Sequence, residues 1–183
     1  MKALDYYLQK RRFKIASLTM LPNTKLLDIG CNEGEFFTYL QDRKIFGYGI
    51  DPYIVKKNYS FTNDVTLIKS KFPSPIITVK DFDNICALAV FEHIPINSQS
   101  TFATTCSDLL KNGGKVILTV PSPFVDNILK LLRYFNIIDG MDIDEHWGFD
   151  VNRTISIFEN AGLKLITHKK FQFGLNNLFV FEK

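Results

Sequence analysis

The chemistry that can be read most directly from this chain lies in a glycine turn flanked by two acidic side chains. Lys25 to Gly34 reads K-L-L-D-I-G-C-N-E-G, an apolar run through Asp28 and Ile29 that meets the small and polar cluster Gly30, Cys31, Asn32 and Gly34. A buried strand, a tight turn and a helix N-terminus in that order hold a nucleotide against backbone N–H groups. Gly30 and Gly34 permit the sharp turn and the approach of a ligand to bare backbone. A second strand-like run, Ile45 to Ile50, ends in Asp51, and an acid at the tip of the second strand is where a ribose diol is held. A glycine cluster alone is a weak signal. The strand before it, the helix after it and the acid at that distance make it specific. Two further side chains, His93 and His146, are candidates for taking a proton during a reaction. The pair Glu92-His93 reads first as an element that fixes a loop after a buried strand, whereas His146 stands beside Trp147 and Phe149 in a polar insertion.

The elements that position these residues follow from pattern and composition. At 183 residues with 46% apolar and 22% charged side chains, the chain reads as one soluble domain with a sizeable core. A net charge of +3 gives no ground for a nucleic-acid partner or for stable membrane insertion. The apolar run Ile85 to Phe91 is too short to span a bilayer, and no signal-peptide region follows Met1. Cys31, Cys86 and Cys106 form no C-x-x-C pair, which reads as reduced core thiols in a cytoplasmic protein, with no metal site. Seventeen phenylalanines imply a bulky core or an apolar pocket.

Along the chain, Ala3 to Met20 reads as an amphipathic helix with Leu4, Tyr7, Leu8, Phe13, Ile15 and Leu18 on its apolar face. Its basic group, Lys10, Arg11, Arg12 and Lys14, reads as a solvated face. Strands are expected at Lys25–Ile29, Ile45–Ile50, Val65–Lys69, Asn84–Phe91, Lys115–Val120, Leu163–Phe171 and Leu175–Glu182, the last two as a hairpin about Gly174. Helices are expected at Glu33–Asp42, from Pro52, at Ile96–Lys111 with Asn112-Gly113-Gly114 as the stop, at Val125–Ile138, and from Asp150 or Asn152 to Ala161. Pro73 and Pro75 argue against a helix in Phe72–Lys80. Alternating strands and helices predict a doubly wound, Rossmann-like α/β sheet. The span 124–149, with its apolar helix and acidic loop, reads as an inserted lid in a single domain covering residues 1–183.

The motifs L-L-D-I-G-C-N-E-G (Leu26 to Gly34), G-I-D-P (Gly49 to Pro52), A-V-F-E-H-I (Ala89 to Ile94), L-L-K-N-G-G-K-V-I-L-T-V-P (Leu109 to Pro121) and F-E-N-A-G-L (Phe158 to Leu163) resemble, in order, those of the class I S-adenosylmethionine-dependent methyltransferases. The small-molecule branch that includes ubiquinone-pathway O-methyltransferases is the most similar. The resemblance implies a seven-stranded sheet, mostly parallel with the last strand antiparallel, and S-adenosyl-L-methionine as cofactor. By position it implies that Asp28, Gly30, Cys31, Asn32 and Gly34 surround the amino-acid end of that cofactor. Asp51 would hold the ribose, Pro52 and Tyr53 would flank the adenine, and Ala89 and Val90 would lie near the methionine portion. Asn32 stands where relatives commonly have glycine, and Ser70-Lys71 where they often place an acid for the adenine amine.

The resemblance further implies an enzyme transferring methyl to a small-molecule acceptor, lipid- or sugar-linked among the options, most readily on oxygen. A hydroxyl acceptor needs a base, His146 or His93, whereas an ionised carboxylate or phenolate needs none. Base and amide N-methyltransferases carry [D/N/S]-P-P-[Y/F] after the fourth strand, and Ala89-Val90-Phe91-Glu92 departs from it. Two alternatives stay open at this point: a partner subunit that binds cofactor without catalysis, and a nicotinamide-dependent oxidoreductase. The second would need G-x-G-x-x-G, which Gly30-Cys31-Asn32-Glu33-Gly34 does not supply.

Overall fold

The computed structural model describes residues 3–55, 64–122 and 150–183. The described strands are β1 (Lys25–Ile29), β2 (Phe46–Ile50), β3 (Val65–Ile68), β4 (Phe82–Leu88), β5 (Leu110–Pro121), β6 (Lys164–Phe171) and β7 (Asn176–Glu182). They form one sheet in the order β3-β2-β1-β4-β5-β7-β6. Strands β1 to β5 pair in parallel, and β7 runs antiparallel to both β5 and β6. The expected Rossmann-like sheet with its antiparallel last strand is what the chain forms. From β1 the chain winds outward to β2 and β3, then returns to β4 on the other side. Its winding therefore reverses between β1 and β4, and a crevice opens there beyond the carboxyl ends of the strands.

The central strands β1, β4 and β7 are buried along most of their length, which is why they read as nearly continuous apolar runs, whereas the edge strand β6 is mostly exposed. On one face α3 (Ile96–Leu109) and α4 (Thr154–Asn160) pack over Leu27, Ile85, Val116 and Leu118. Aromatic rings fill that layer. Phe91 and Phe158 lie 5.2 Å apart, Phe91 and Phe102 5.4 Å, and Phe158 stacks on Phe181 at 4.8 Å. On the other face α1 (Ala3–Ser17) and α2 (Glu35–Tyr39) bury Phe13, Ala16, Phe36 and Phe37 against Leu26, Cys86 and Ile117. Many of the phenylalanines are therefore core, and the three cysteines are free and buried.

Several elements differ from the sequence reading for identifiable reasons. Helix α1 ends at Ser17, where the hydroxyls of Ser17 and Thr19 donate to the carbonyls of Lys14 and Ala16, a local competition that closes a helix. Arg43 then donates to the carbonyls of Ser17 and Met20 and holds that end in place. Tyr7 and Leu18, assigned to the apolar face, are exposed. The helix expected over Glu33–Asp42 is reduced to α2 and a 3₁₀ turn, Gln41–Arg43, because Asn32 and Gly34 hold positive φ of 47° and 83° that no α-helix accepts. Pro52 and Tyr53 form a turn and open no helix among the described residues. Strand β4 stops at Leu88, as Ala89 turns to φ 60° while its N–H still bonds the Thr119 carbonyl at 2.9 Å. Helix α3 stops at Leu109, two residues early, since buried Leu110 already pairs with Phe82. Lys183 Nζ caps that end by donating to the carbonyls of Ser107 and Leu110. Phe72–Lys80 contains no helix, as its prolines require. The proposed helix Val125–Ile138, the lid span 124–149 and His146 lie outside the described residues, apart from their approach at Ser122.

Gly47 shows how tightly β1 and β2 are drawn together. Its φ is 134°, and a Cβ there would lie 2.1 Å from the Leu26 carbonyl oxygen, a backbone atom with no freedom to yield. Gly47→Ala should therefore lower the unfolding free energy by about 3 kcal/mol or more, combining a glycine-only backbone angle with overpacking. Urea denaturation measures this, and a loss below about 1 kcal/mol would show that the two strands can separate to admit the methyl group.

Candidate functional site

The crevice between β1 and β4 is lined by Asp28, Gly30, Cys31, Asn32 and Leu88 from the sheet and its turn, by Glu35 and Phe36 from α2, and by Gln9, Arg12 and Phe13 from α1. Asp28 is the fourth residue of β1, 3% exposed and lining the crevice with Arg12 and Phe13 of α1. Burial pushes its carboxyl well above the ordinary range, and the negative charges of Glu35 and Asp51 push it further. Such a site disfavours an extra negative charge and gains from a cationic ligand.

Gly30 makes the crevice possible. With φ 73° it turns the chain at the end of β1, and a Cβ placed on it would fall 2.3 Å from Val90 Cγ2. Val90 follows the strained Ala89 at the tip of β4, so the two strand ends meet across a bare glycine. A residue held at positive φ without being glycine stores strain of order 1–3 kcal/mol, which is characteristic of ligand-binding turns. The Gly30 N–H bonds the Ile50 carbonyl at 2.8 Å, tying the same turn to β2.

Asp51 does more than end a strand. Its Oδ2 accepts from the Asn32 N–H at 3.0 Å and its Oδ1 from the Tyr53 N–H at 2.7 Å. The carboxylate therefore fixes the β1 turn and the β2 turn relative to each other. Each oxygen retains an accepting lone pair for a diol. Asn32 takes its left-handed angle and clamps itself by donating Nδ2 to Glu35 Oε1 at 2.7 Å. The Tyr53 ring is 74% exposed beside this turn, an open aromatic face suited to stacking on a planar base.

Placement of the remaining sequence candidates is uneven. Gly34 stands at the N-terminus of α2. Pro52 sits in the Asp51–Tyr53 turn. Cys31 contributes backbone to the turn, but its thiol points into the space left by Gly49, where a Cβ would lie 2.7 Å from Cys31 Sγ. Burial, then the charges of Asp28 and Asp51, push that thiol upward, so it remains protonated. Ser70 lies just past β3, its hydroxyl shared with Ser74 Oγ at 3.0 Å. His93 ends a 3₁₀ turn, Phe91–His93, with both ring nitrogens shielded from solvent. The polar residues of the crevice that pattern reading missed are Gln9, Arg12 and Glu35. Arg12 was grouped with the solvated basic face. Arg11 and Lys14 are exposed as expected, and Lys10 lies 5.3 Å from the Tyr39 ring, but Arg12 turns into the crevice. The signal was its spacing, four residues from Leu8 and four from Ala16, on the stripe that faces inward.

The sequence matches the family described as "Methyltransferase domain" over residues 4–169. No curated protein gives a significant sequence match. Solved structures share the fold at low identity. A TehB-like S-adenosylmethionine-dependent methyltransferase from Corynebacterium glutamicum is 16% identical, with TM-score 0.67 over 98% of this chain and 96% of that one. The cyclopropane synthase MmaA2 from Mycobacterium tuberculosis is 14% identical, with TM-score 0.72 over 96% and 84%. Magnesium protoporphyrin IX methyltransferase from Synechocystis, solved with bound S-adenosylhomocysteine, is 14% identical, with TM-score 0.66 over 96% and 83%.

Two predictions follow from the site's geometry. Asp51→Ala should weaken binding of S-adenosylhomocysteine by about 1.5–3 kcal/mol, the scale of hydrogen bonds to a charged group. It should also cost about 1–3 kcal/mol of stability, because two backbone N–H groups lose their acceptor. Calorimetry and urea melts separate the two losses, and an unperturbed fold would contradict the role of Asp51 as a tie between turns. For Asp28 the sign is the reverse. Its folded-state pKa lies above the ordinary 3.8, so the folded state binds more protons and the group's contribution to stability falls as pH rises through that window. Asp28→Asn should accordingly melt higher than the parent protein at pH 8, with the gap narrowing on acidification and closing below the ordinary carboxylate pKa. A gap that does not change with pH would show that Asp28 carries no raised pKa.

Proposed function

The chain belongs to the class I S-adenosylmethionine-dependent methyltransferases, and we propose that it methylates an oxygen atom of a small-molecule acceptor. Lipid- and sugar-linked acceptors are included in that class. It is an enzyme whose methyl donor is S-adenosylmethionine, so the nicotinamide alternative is set aside. Among the described residues no helix is long and apolar enough to cross a membrane. A cytoplasmic location and the absence of a nucleic-acid partner are parts of the same proposal.

The described residues fit the donor. A Cβ on Gly30 would collide with Val90 at the strand tips, so the turn stays bare backbone that a ligand can approach. Asp51 would receive the ribose hydroxyls, Tyr53 would flank the adenine, and Asp28 would lie at the amino-acid end, where its raised pKa marks a demand for positive charge. Bound there, S-adenosylmethionine supplies an electrophilic methyl on a sulfonium. The protein's own work is then to align the acceptor in line and exclude water. Ala89 and Val90, held by the Thr119 carbonyl and by contact with Gly30, form the wall against which that alignment is made.

The observation that carries the choice of oxygen lies after β4. Ala89-Val90-Phe91-Glu92 offers no proline-flanked amide or acid to grip a planar amine. Its carboxylate, Glu92, is 1% exposed and faces the interior. For a hydroxyl acceptor, His93 would receive the proton as the sequence candidate that lies among the described residues. An already ionised acceptor needs no such transfer.

Incubation with methyl-labelled S-adenosylmethionine and a panel of phenols, carboxylic acids, glycosides and prenyl lipids, followed by mass spectrometry, should place the label on oxygen. Label confined to nitrogen or carbon would overturn the proposal. On a hydroxyl acceptor, His93→Asn should cut kcat by about 10²-fold or more while leaving S-adenosylhomocysteine affinity within about threefold. An unchanged kcat would assign Glu92-His93 to holding the loop.

A further inference from the structure

The hairpin between β6 and β7 ends in a tip that is firmly held and yet presents a bare aromatic ring. Gln172, Phe173 and Gly174 take positive φ of 52°, 57° and 83° in succession, angles that glycine accepts and a bulky aromatic resists. Hydrogen bonds keep the tip in that form. The Ser122 hydroxyl donates to the Gly174 carbonyl at 2.6 Å, and the Ser122 N–H to the Leu175 carbonyl at 2.9 Å. Asn176 Nδ2 donates to Gln172 Oε1 at 2.6 Å, and Gln172 Nε2 to the Leu8 carbonyl of α1 at 3.1 Å. The Phe173 side chain is left 104% exposed. Single apolar residues on a surface need no explanation, but a strained ring held out by its neighbours does.

Positive charge gathers around the same tip. Lys169 lies opposite Leu178, whose side chain packs in the α1-side core. It therefore projects on that face of the sheet and Lys170 on the other, and both are exposed. On α1, beside the tip, Tyr7, Arg11 and Lys14 are exposed at a spacing that places them on one stripe. Residues 3–17 and 164–178 together hold seven Lys or Arg and one acid, Asp5, although the whole chain nets only +3. The rest of the chain is thus net negative. A protruding apolar ring flanked by cations is complementary to a surface with an anionic outer layer and hydrocarbon beneath. Single-stranded nucleic acid, by contrast, is held on aromatic rings within a positively charged groove, and Phe173 stands clear of any groove.

We propose that the β6–β7 tip and the outer stripe of α1 form a docking surface for an anionic lipid bilayer. Phe173 enters the headgroup layer, while Lys169, Lys170, Arg11 and Lys14 meet lipid phosphates. Because β6 runs parallel to β5, the tip stands at the carboxyl edge of the sheet, where Phe171, Asn176 and Pro121 are in register. The bilayer then faces the edge on which the crevice opens. The docking surface lies outside the donor site and does not rest on it.

The experiment sediments the full chain with sucrose-loaded vesicles of phosphatidylcholine, alone or mixed with phosphatidylglycerol. It compares the parent protein with Phe173→Asn, Phe173→Trp and the double variant Lys169→Gln/Lys170→Gln. Asparagine keeps the left-handed angle while removing the ring. The parent should pellet with the phosphatidylglycerol vesicles, less so as salt is raised, and poorly with phosphatidylcholine alone. Phe173→Asn should lower the partition coefficient about tenfold, and the double variant about fivefold for each cation removed. Phe173→Trp should pellet as well as the parent. A parent protein that stays in solution with the anionic vesicles, pellets equally with phosphatidylcholine alone, or prefers single-stranded RNA to the vesicles overturns the proposal. So does Phe173→Asn or the double variant pelleting like the parent, or Phe173→Trp pelleting no better than Phe173→Asn. Every variant should keep the parent's affinity for S-adenosylhomocysteine, and a parallel loss of that affinity overturns a role confined to docking. A parent protein that binds vesicles and no S-adenosylhomocysteine supports the docking surface and fails the donor site alone.

Discussion

The end of β1 must come within van der Waals reach of the end of β4 and still leave a crevice. Gly30 meets that constraint, since a methyl group in its place would sit 2.3 Å from Val90. Much else in the described structure serves this approach. Parallel pairing of β1 with both β2 and β4 brings three strand tips to one edge. The reversal of winding between β1 and β4 keeps crossover helices from filling the space above them. The strained Ala89 ends β4 where it does, and its N–H keeps its bond to β5 so that the strain is borne by the sheet.

Asp51 connects this constraint to binding. Its two oxygens hold the backbone of both turns, so the residue proposed to meet the ribose also sets the geometry of the turns around it. Asp28 carries the opposite tension. Its burial beside two other acids raises the cost of its negative charge, a cost that positive charge in the crevice would relieve.

Much of the architecture was legible because parallel strands buried on both faces leave an unmistakable apolar run, and because glycines and acids at strand tips have few other uses. The core of the parallel sheet and the turn at Gly30–Gly34 follow from that logic, while the β6–β7 hairpin is marked by its Gly174 turn and β5 begins at Leu110, five residues before its expected start. What pattern reading could not supply was tertiary. Ala89 sits within an unbroken apolar run, and nothing in an alanine announces a left-handed backbone angle, so β4 was drawn too long. The double acceptor role of Asp51 depends on two turns far apart in sequence. Arg12 was absorbed into a run of four cations, three of which do lie at the surface or against an aromatic ring. Only the packing of α1 on α2 reveals that the fourth faces inward.

The account's central claim is that the β1–β4 crevice holds the methyl donor. A crystal structure of the chain grown with S-adenosylhomocysteine tests it directly. The account predicts ribose hydroxyls within about 3 Å of the Asp51 carboxylate, and the amino-acid end over Gly30 beside Asp28. Density for the nucleoside anywhere other than the Gly30–Asp51 turns, with those carboxylates left uncontacted, would contradict it.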